Sequence, residues 1–167
     1  MRVLQIKNGT VSPFTAYRNR GLIRHRIISE LTRLAEGYKD TGWKLADPVE
    51  AFHTIKDEFT FVLLESGGMM AVSTNVPWFA QEHVLCEEWL GAGVTTTEAA
   101  SAMKAICKQA GIRRFEVGTR AVPNQKHSAA ARLYQRDGLR LTTITLEGVM
   151  NDEQESVTKD HGSAETA

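Results

Sequence analysis

The sequence predicts an α/β (α+β) fold: a mixed, mostly antiparallel central sheet flanked by helices on both faces. Three observations predict it. Runs with apolar residues at every second position stand beside runs with apolar residues at every third or fourth. Three of the period-two runs follow one another across turn signals, which reads as a meander. The other strands alternate with helices, which reads as strand–helix–strand units packed on one sheet. A chain of 167 residues suits one core. The expected division is a single domain over residues 1–150 and a polar tail over 151–167, where Val157 is the one aliphatic residue beyond alanine.

The elements follow in order. Val3, Leu4 and Ile6 mark a short strand ended by Lys7-Asn8-Gly9. Leu22, Ile23, Ile27, Leu31 and Leu34 recur at helical spacing within residues 15–38. Arg18, Arg20, Arg24, Arg26 and Arg33 mostly fall on the other face, either as a solvated surface or as a grip for phosphate. Asp47-Pro48 begins a second helix, with Asp47 as N-cap and Pro48 at the first helical position.

The period then changes to two. Phe59, Phe61 and Leu63 form a strand closed by Ser66-Gly67-Gly68, a hairpin signal, and residues 69–74 return. Pro77, Trp78 and Phe79 make an aromatic loop, read as a binding wall, an interface or in part core. Residues 83–90 are a third strand. Residues 97–110 are a helix stopped by Gly111, and Thr95 with Glu98 has the spacing of a capping box. Phe115 and Val117 mark a strand over 114–119, residues 129–136 a helix closed by Gly138, and Leu141, Ile144 and Leu146 one or two last strands.

Composition narrows the function classes. Twenty basic and twenty acidic residues cancel, so no bulk charge draws the chain to nucleic acid or an anionic membrane. No apolar run reaches the ~20 residues that span a bilayer, and no signal peptide is expected. Cys86 and Cys107 lack any ligand or CxxC spacing and read as reduced core thiols, which fits a cytoplasmic location. The histidines have no ligand spacing, so no metal is expected.

Two segments carry a family resemblance. Ala130-Ala131-Arg132-Leu133-Tyr134-Gln135-Arg136-Asp137-Gly138-Leu139 resembles the closing motif of the GNAT N-acetyltransferase superfamily, and Arg114-Phe115-Glu116-Val117-Gly118-Thr119 resembles the strand that leads into it. The resemblance covers residues 1–150 by element order and about residues 82–146 by motif. It implies acetyl-CoA, or another acyl-CoA, as donor and an amine as acceptor.

The resemblance also implies roles. Tyr134 would protonate the departing thiolate, as negative charge leaving on sulfur requires; the alternative is a helix tyrosine with its hydroxyl at the surface. The strand at 83–90 would bulge and offer free amides to the pantetheine arm. Glu87 or Glu88 on it would take the amine proton; being adjacent, they face opposite sides of the sheet. Leu90, Gly91, Gly93, Thr95, Thr96, Thr97, Asn124 and His127 would contact the donor.

The turn departs from the family. Residues 91–98 contain no lysine or arginine, and their two glycines come early. His127 stands where the family usually has Asn. Two readings therefore follow: an acyl-CoA-dependent N-acyltransferase, or a GNAT-like assembly protein without catalysis, of the kind found in bacteriophage virions. The second would use the tail and the 77–79 loop as protein contacts and would place the chain in a virion.

Overall fold

The computed structural model describes residues 1–15, 19–39, 44–118 and 127–140. The strands are β1 (Arg2–Lys7), β2 (Thr10–Pro13), β3 (Thr60–Leu63), β4 (Met69–Asn75), β5 (Val84–Leu90) and β6 (Arg114–Glu116). The helices are α1 (Arg20–Gly37), α2 (Pro48–Ile55), α3 (Thr96–Ala110) and α4 (His127–Arg136). The strands form one sheet in the order β2-β1-β3-β4-β5-β6. Three of the neighbouring pairs run antiparallel; β1–β3 and β5–β6 run parallel. The mixed, mostly antiparallel sheet expected from the sequence is therefore present.

The local signals acted largely as expected. The Asp47 carboxylate accepts from the Val49 and Glu50 amides, satisfying N–H groups that the first turn of α2 leaves open. Gly111 ends α3 in the left-handed region at φ 68, where a side chain would be strained. One strand escaped the sequence reading. Asn8 and Gly9, at φ 48 and 68, form a two-residue turn between Lys7 and Thr10, so the chain does not stop at Gly9 but returns as β2. Asn-Gly is a strong hairpin signal, and the strand after it is short enough to hide its period. The strands expected beyond residue 140, the tail and the residues before Asn19 back to 16 lie outside the described residues.

The two sheet faces bury different residues. One packs Val62, Leu64, Met70, Val72 and Leu85 against Ala99, Ala102, Met103, Ile106 and Cys107 of α3. The other packs Phe61, Met69, Ala71 and Trp89 against Ile23 and Ile27 of α1 and Phe52 of α2. Full burial of each large apolar side chain stabilises by roughly 1.5–3 kcal/mol. Helices thus cover both faces, with β5 near one edge, and that placement makes the site. Among the described residues, no helix is long and apolar enough to cross a membrane.

Candidate active site

A break in β5 builds the site. Ala71 of β4 pairs with Trp89, but the next residue, Val72, pairs with Glu87, so Glu88 is one residue more than β4 has to match. The faces confirm the bulge. Leu85 and Trp89, four residues apart, would share a face in a regular strand; instead Leu85 packs toward α3 and Trp89 toward α1. On its other side β5 pairs with β6 at Val84, Leu85 and Cys86 only. From Glu87 to Leu90 the described residues offer no partner strand on that side. Among the described residues, a backbone edge is left free beside the bulge.

Tyr134 closes over this edge. It lies on α4, is 4% exposed, and donates its hydroxyl hydrogen to Glu87 Oε2 at 2.8 Å. The sequence left the two glutamates open, and the geometry separates them. The Glu87 carboxylate meets the phenol. The Glu88 carboxylate accepts from the Ser73 hydroxyl at 2.5 Å. Ser73 alternates with Val72 along β4 and so points to the face of Ala71 and Trp89. The pair that converges is Glu87 with Tyr134.

Burial sets the proton chemistry of this pair. It raises Glu87 to about 7, opposed by the hydrogen bond from Tyr134, because a carboxylate loses hydration there. Tyr134 is pushed above its ordinary range, first by burial and then by the Glu87 charge. Burial also raises both thiols, Cys86 and Cys107, as expected for inert structural cysteines. The carboxylate therefore exchanges its proton near neutral pH, and the phenol stays protonated.

The turn after β5 is bound up by the protein itself. Gly91 donates to the Met69 carbonyl at 2.8 Å, and a Cβ at Gly91 would lie 2.6 Å from that oxygen. Gly93 takes φ 78. Both glycines thus have backbone reasons to be present. The Glu30 carboxylate of α1 accepts from the Ala92 amide at 3.1 Å, and Arg33 holds that carboxylate at 2.8 Å while donating to the Leu90 carbonyl at 2.9 Å. At the start of α3 the Thr95 hydroxyl accepts from the Glu98 amide. The capping box is only half formed: the Glu98 carboxylate accepts from Ser66 N–H in the β3–β4 turn rather than reaching back to Thr95. Thr97 donates to Asp137 at 2.9 Å. Thr96 opens α3. Asn124 lies outside the described residues, and of His127 only the backbone, as first residue of α4, is described.

Trp78 and Phe79 stand together and exposed, at 95% and 75%, with ring centroids 5.5 Å apart at nearly right angles. The part-core reading of this loop is therefore overturned; neither ring enters the core. No His, Cys, Asp or Glu cluster fit for a metal occurs among the described residues. The sequence reading missed Ser73, Glu30 and Asp137, and Arg33, offered as surface or phosphate grip, holds Glu30 and the Leu90 carbonyl instead. Ser73 could have been reached by pairing the β4 and β5 registers; Glu30 and Asp137 carry no local signal, since their partners lie 62 and 40 residues away.

Solved structures share this architecture. A protein of Pyrococcus furiosus assigned as an acetyl transferase superposes with a TM-score of 0.54 at 14% identity, over 79% of this chain and 96% of its own. A second protein assigned as an acetyltransferase gives 0.50 at 12% identity, over 82% and 97%. At such identities the likeness is one of fold. No family model and no curated protein matches the sequence.

Proposed function

We propose that the protein is an N-acyltransferase, with one GNAT-like domain over residues 1–150, that moves an acyl group from a thioester to an amine held beside it. The observation that carries this reading is the Tyr134 hydroxyl 2.8 Å from Glu87 where β5 parts from β6. The amine nitrogen bonds to the thioester carbonyl carbon, and an amide within residues 87–90 that faces away from β4 steadies its oxygen. Glu87 takes a proton from that nitrogen, and the carbon–sulfur bond breaks. Tyr134 gives its hydroxyl proton to the sulfur, and Glu87 returns a proton to Tyr134 along their hydrogen bond.

The ordering of acidities supports this path. A thiol holds its proton with a pKa of roughly 8.5. A phenol pushed above its ordinary 10 cannot favourably protonate a thiolate and stay ionised. A carboxyl group at about 7 can supply the proton through it. Glu88 remains the candidate for contact with the acceptor amine from the opposite face.

The residues suit the thioester and its pantetheine arm. They do not suit a diphosphate: residues 91–98 hold no cation, and the Ala92 amide is occupied by Glu30. Acyl-CoA is nevertheless the donor class the fold suggests, held through its thioester and pantetheine arm, with Leu90, Gly91, Gly93, Thr95, Thr96, Thr97, Asn124 and His127 as the residues nearest its path, and a cytoplasmic setting suits it. Thiol release from acetyl thioesters with a panel of primary amines tests the reading. Amine-dependent release that falls in Glu87→Gln and Tyr134→Phe is the expected result; no release from any thioester, acetyl-CoA included, overturns it.

The exposed Trp78–Phe79 pair favours a second reading, an assembly protein without catalysis, such as a virion component. That reading predicts no thiol release and loss of self-association or partner binding when both rings are removed.

A further inference from the structure

We propose that the site takes its acyl donor by the pantetheine arm alone and gains nothing from an attached nucleotide, so that the substrate class is a pantetheine thioester rather than acyl-CoA in particular. This inference rests on the acyltransferase reading and deepens it. An arm with its sulfur at Tyr134 and its amides along the free edge of β5 leaves that edge at Leu90. There it meets the turn and the first residues of α3. A helix N-terminus is the usual place for a phosphate, because open N–H groups and the helix dipole favour negative charge. Here three carboxylates hold that place. Glu30 sits on the Ala92 amide, Glu98 crosses to the Ser66 amide, and Asp137 takes the Thr97 hydroxyl.

Among the described residues, the cations that reach this turn are already engaged. Arg33 binds Glu30 and the Leu90 carbonyl, and Lys104 donates to the Asp137 carbonyl at 3.2 Å. A diphosphate arriving at this turn would have to displace Glu30 and sit among like charges. The uncharged arm meets no such opposition, since its partners are backbone groups of residues 87–90. Glu30 bonds the backbone of the turn as a phosphate oxygen would.

Calorimetric titration of the full chain with pantetheine and with CoA reads the inference without turnover. Dissociation constants equal within about threefold are expected, where a nucleotide grip of two or three charge-assisted hydrogen bonds would favour CoA by about a hundredfold or more. S-acetyl-pantetheine and acetyl-CoA should likewise show equal kcat/KM with a common amine. An acetyl-loaded carrier protein distinguishes the source of the arm, and turnover at or above that of S-acetyl-pantetheine supports the inference.

The double substitution Glu30→Gln with Glu98→Gln should tighten CoA about tenfold and leave pantetheine unchanged, as removal of like charges predicts. Should this variant unfold, Glu98→Gln alone is expected to act in the same direction by a few fold. CoA binding thirtyfold or more tighter than pantetheine overturns the inference and leaves the acyltransferase reading in place. Failure of both ligands to bind, with no thiol release from either thioester, overturns that reading and this inference with it.

Discussion

Glu87 and Glu88 are the same residue type, one position apart on one strand, yet they do opposite things. Glu87 lies against a buried phenol on the side of α4; Glu88 accepts from Ser73 on the side of α1 and α2. The bulge at β5 makes the difference. It spends one residue without a partner on β4, so the strand presents its carboxylates to two different environments and then continues in the opposite phase. Desolvation is what turns Glu87 into a base poised near neutrality.

Substitutions can break this comparison, beginning with the largest effect. Tyr134→Phe or Glu87→Gln should each lower kcat/KM for thioester aminolysis by about 10²–10⁴-fold, the range of general acid–base catalysis. If the two act as one hydrogen-bonded unit, the double variant is no worse than either single, and additive losses would separate them. A thioester with a more acidic thiol should recover much of the Tyr134→Phe loss.

The pH profile comes next. With Glu87 at about 7, kcat/KM should rise about tenfold per unit below pH 7 and flatten above it, and this rise should vanish in Glu87→Gln. Stability should move the other way. Between the ordinary 4.5 and about 7 the folded chain retains a proton at Glu87 that the unfolded chain has lost. More protons bound in the folded state means stability falls as pH rises through that window, by about 1–3 kcal/mol. Urea unfolding of wild type against Glu87→Gln from pH 4 to 8 measures it.

Glu88→Gln or Ser73→Ala should cost about tenfold or less in kcat/KM, since neither touches Tyr134; an effect as large as that at Glu87 would reverse the assignment. Smallest of all, Trp78→Ala with Phe79→Ala should change stability by no more than about 0.5 kcal/mol by denaturant titration, as expected for exposed residues away from packing. A larger loss would mean that these rings are covered in solution.

How much of this was legible from the sequence varies with distance along the chain. The caps at Asp47 and Thr95, the stop at Gly111 and the alternation in β3, β4 and β5 are decided within a few residues, so periodicity and turn chemistry found them. The segment around Tyr134 and the adjacent pair Glu87 and Glu88 were both marked in the sequence, but their meeting was not. β2 was legible in principle, since Asn8-Gly9 announces a hairpin, but four residues give too little period to register. Glu30 could not be read at all. Its place on α1 looks like any solvent-side glutamate until Ala92, 62 residues on, is brought beneath it.

By itself the sequence determined the kinds of element, their order and which side of each is apolar, because propensity and period are properties of neighbouring residues. Only the tertiary structure decided that Glu87 rather than Glu88 meets Tyr134, and that a carboxylate occupies the turn where an anion would otherwise bind. Both depend on registers between distant segments: an extra residue matters only against a partner strand, and a buried charge is defined by what encloses it.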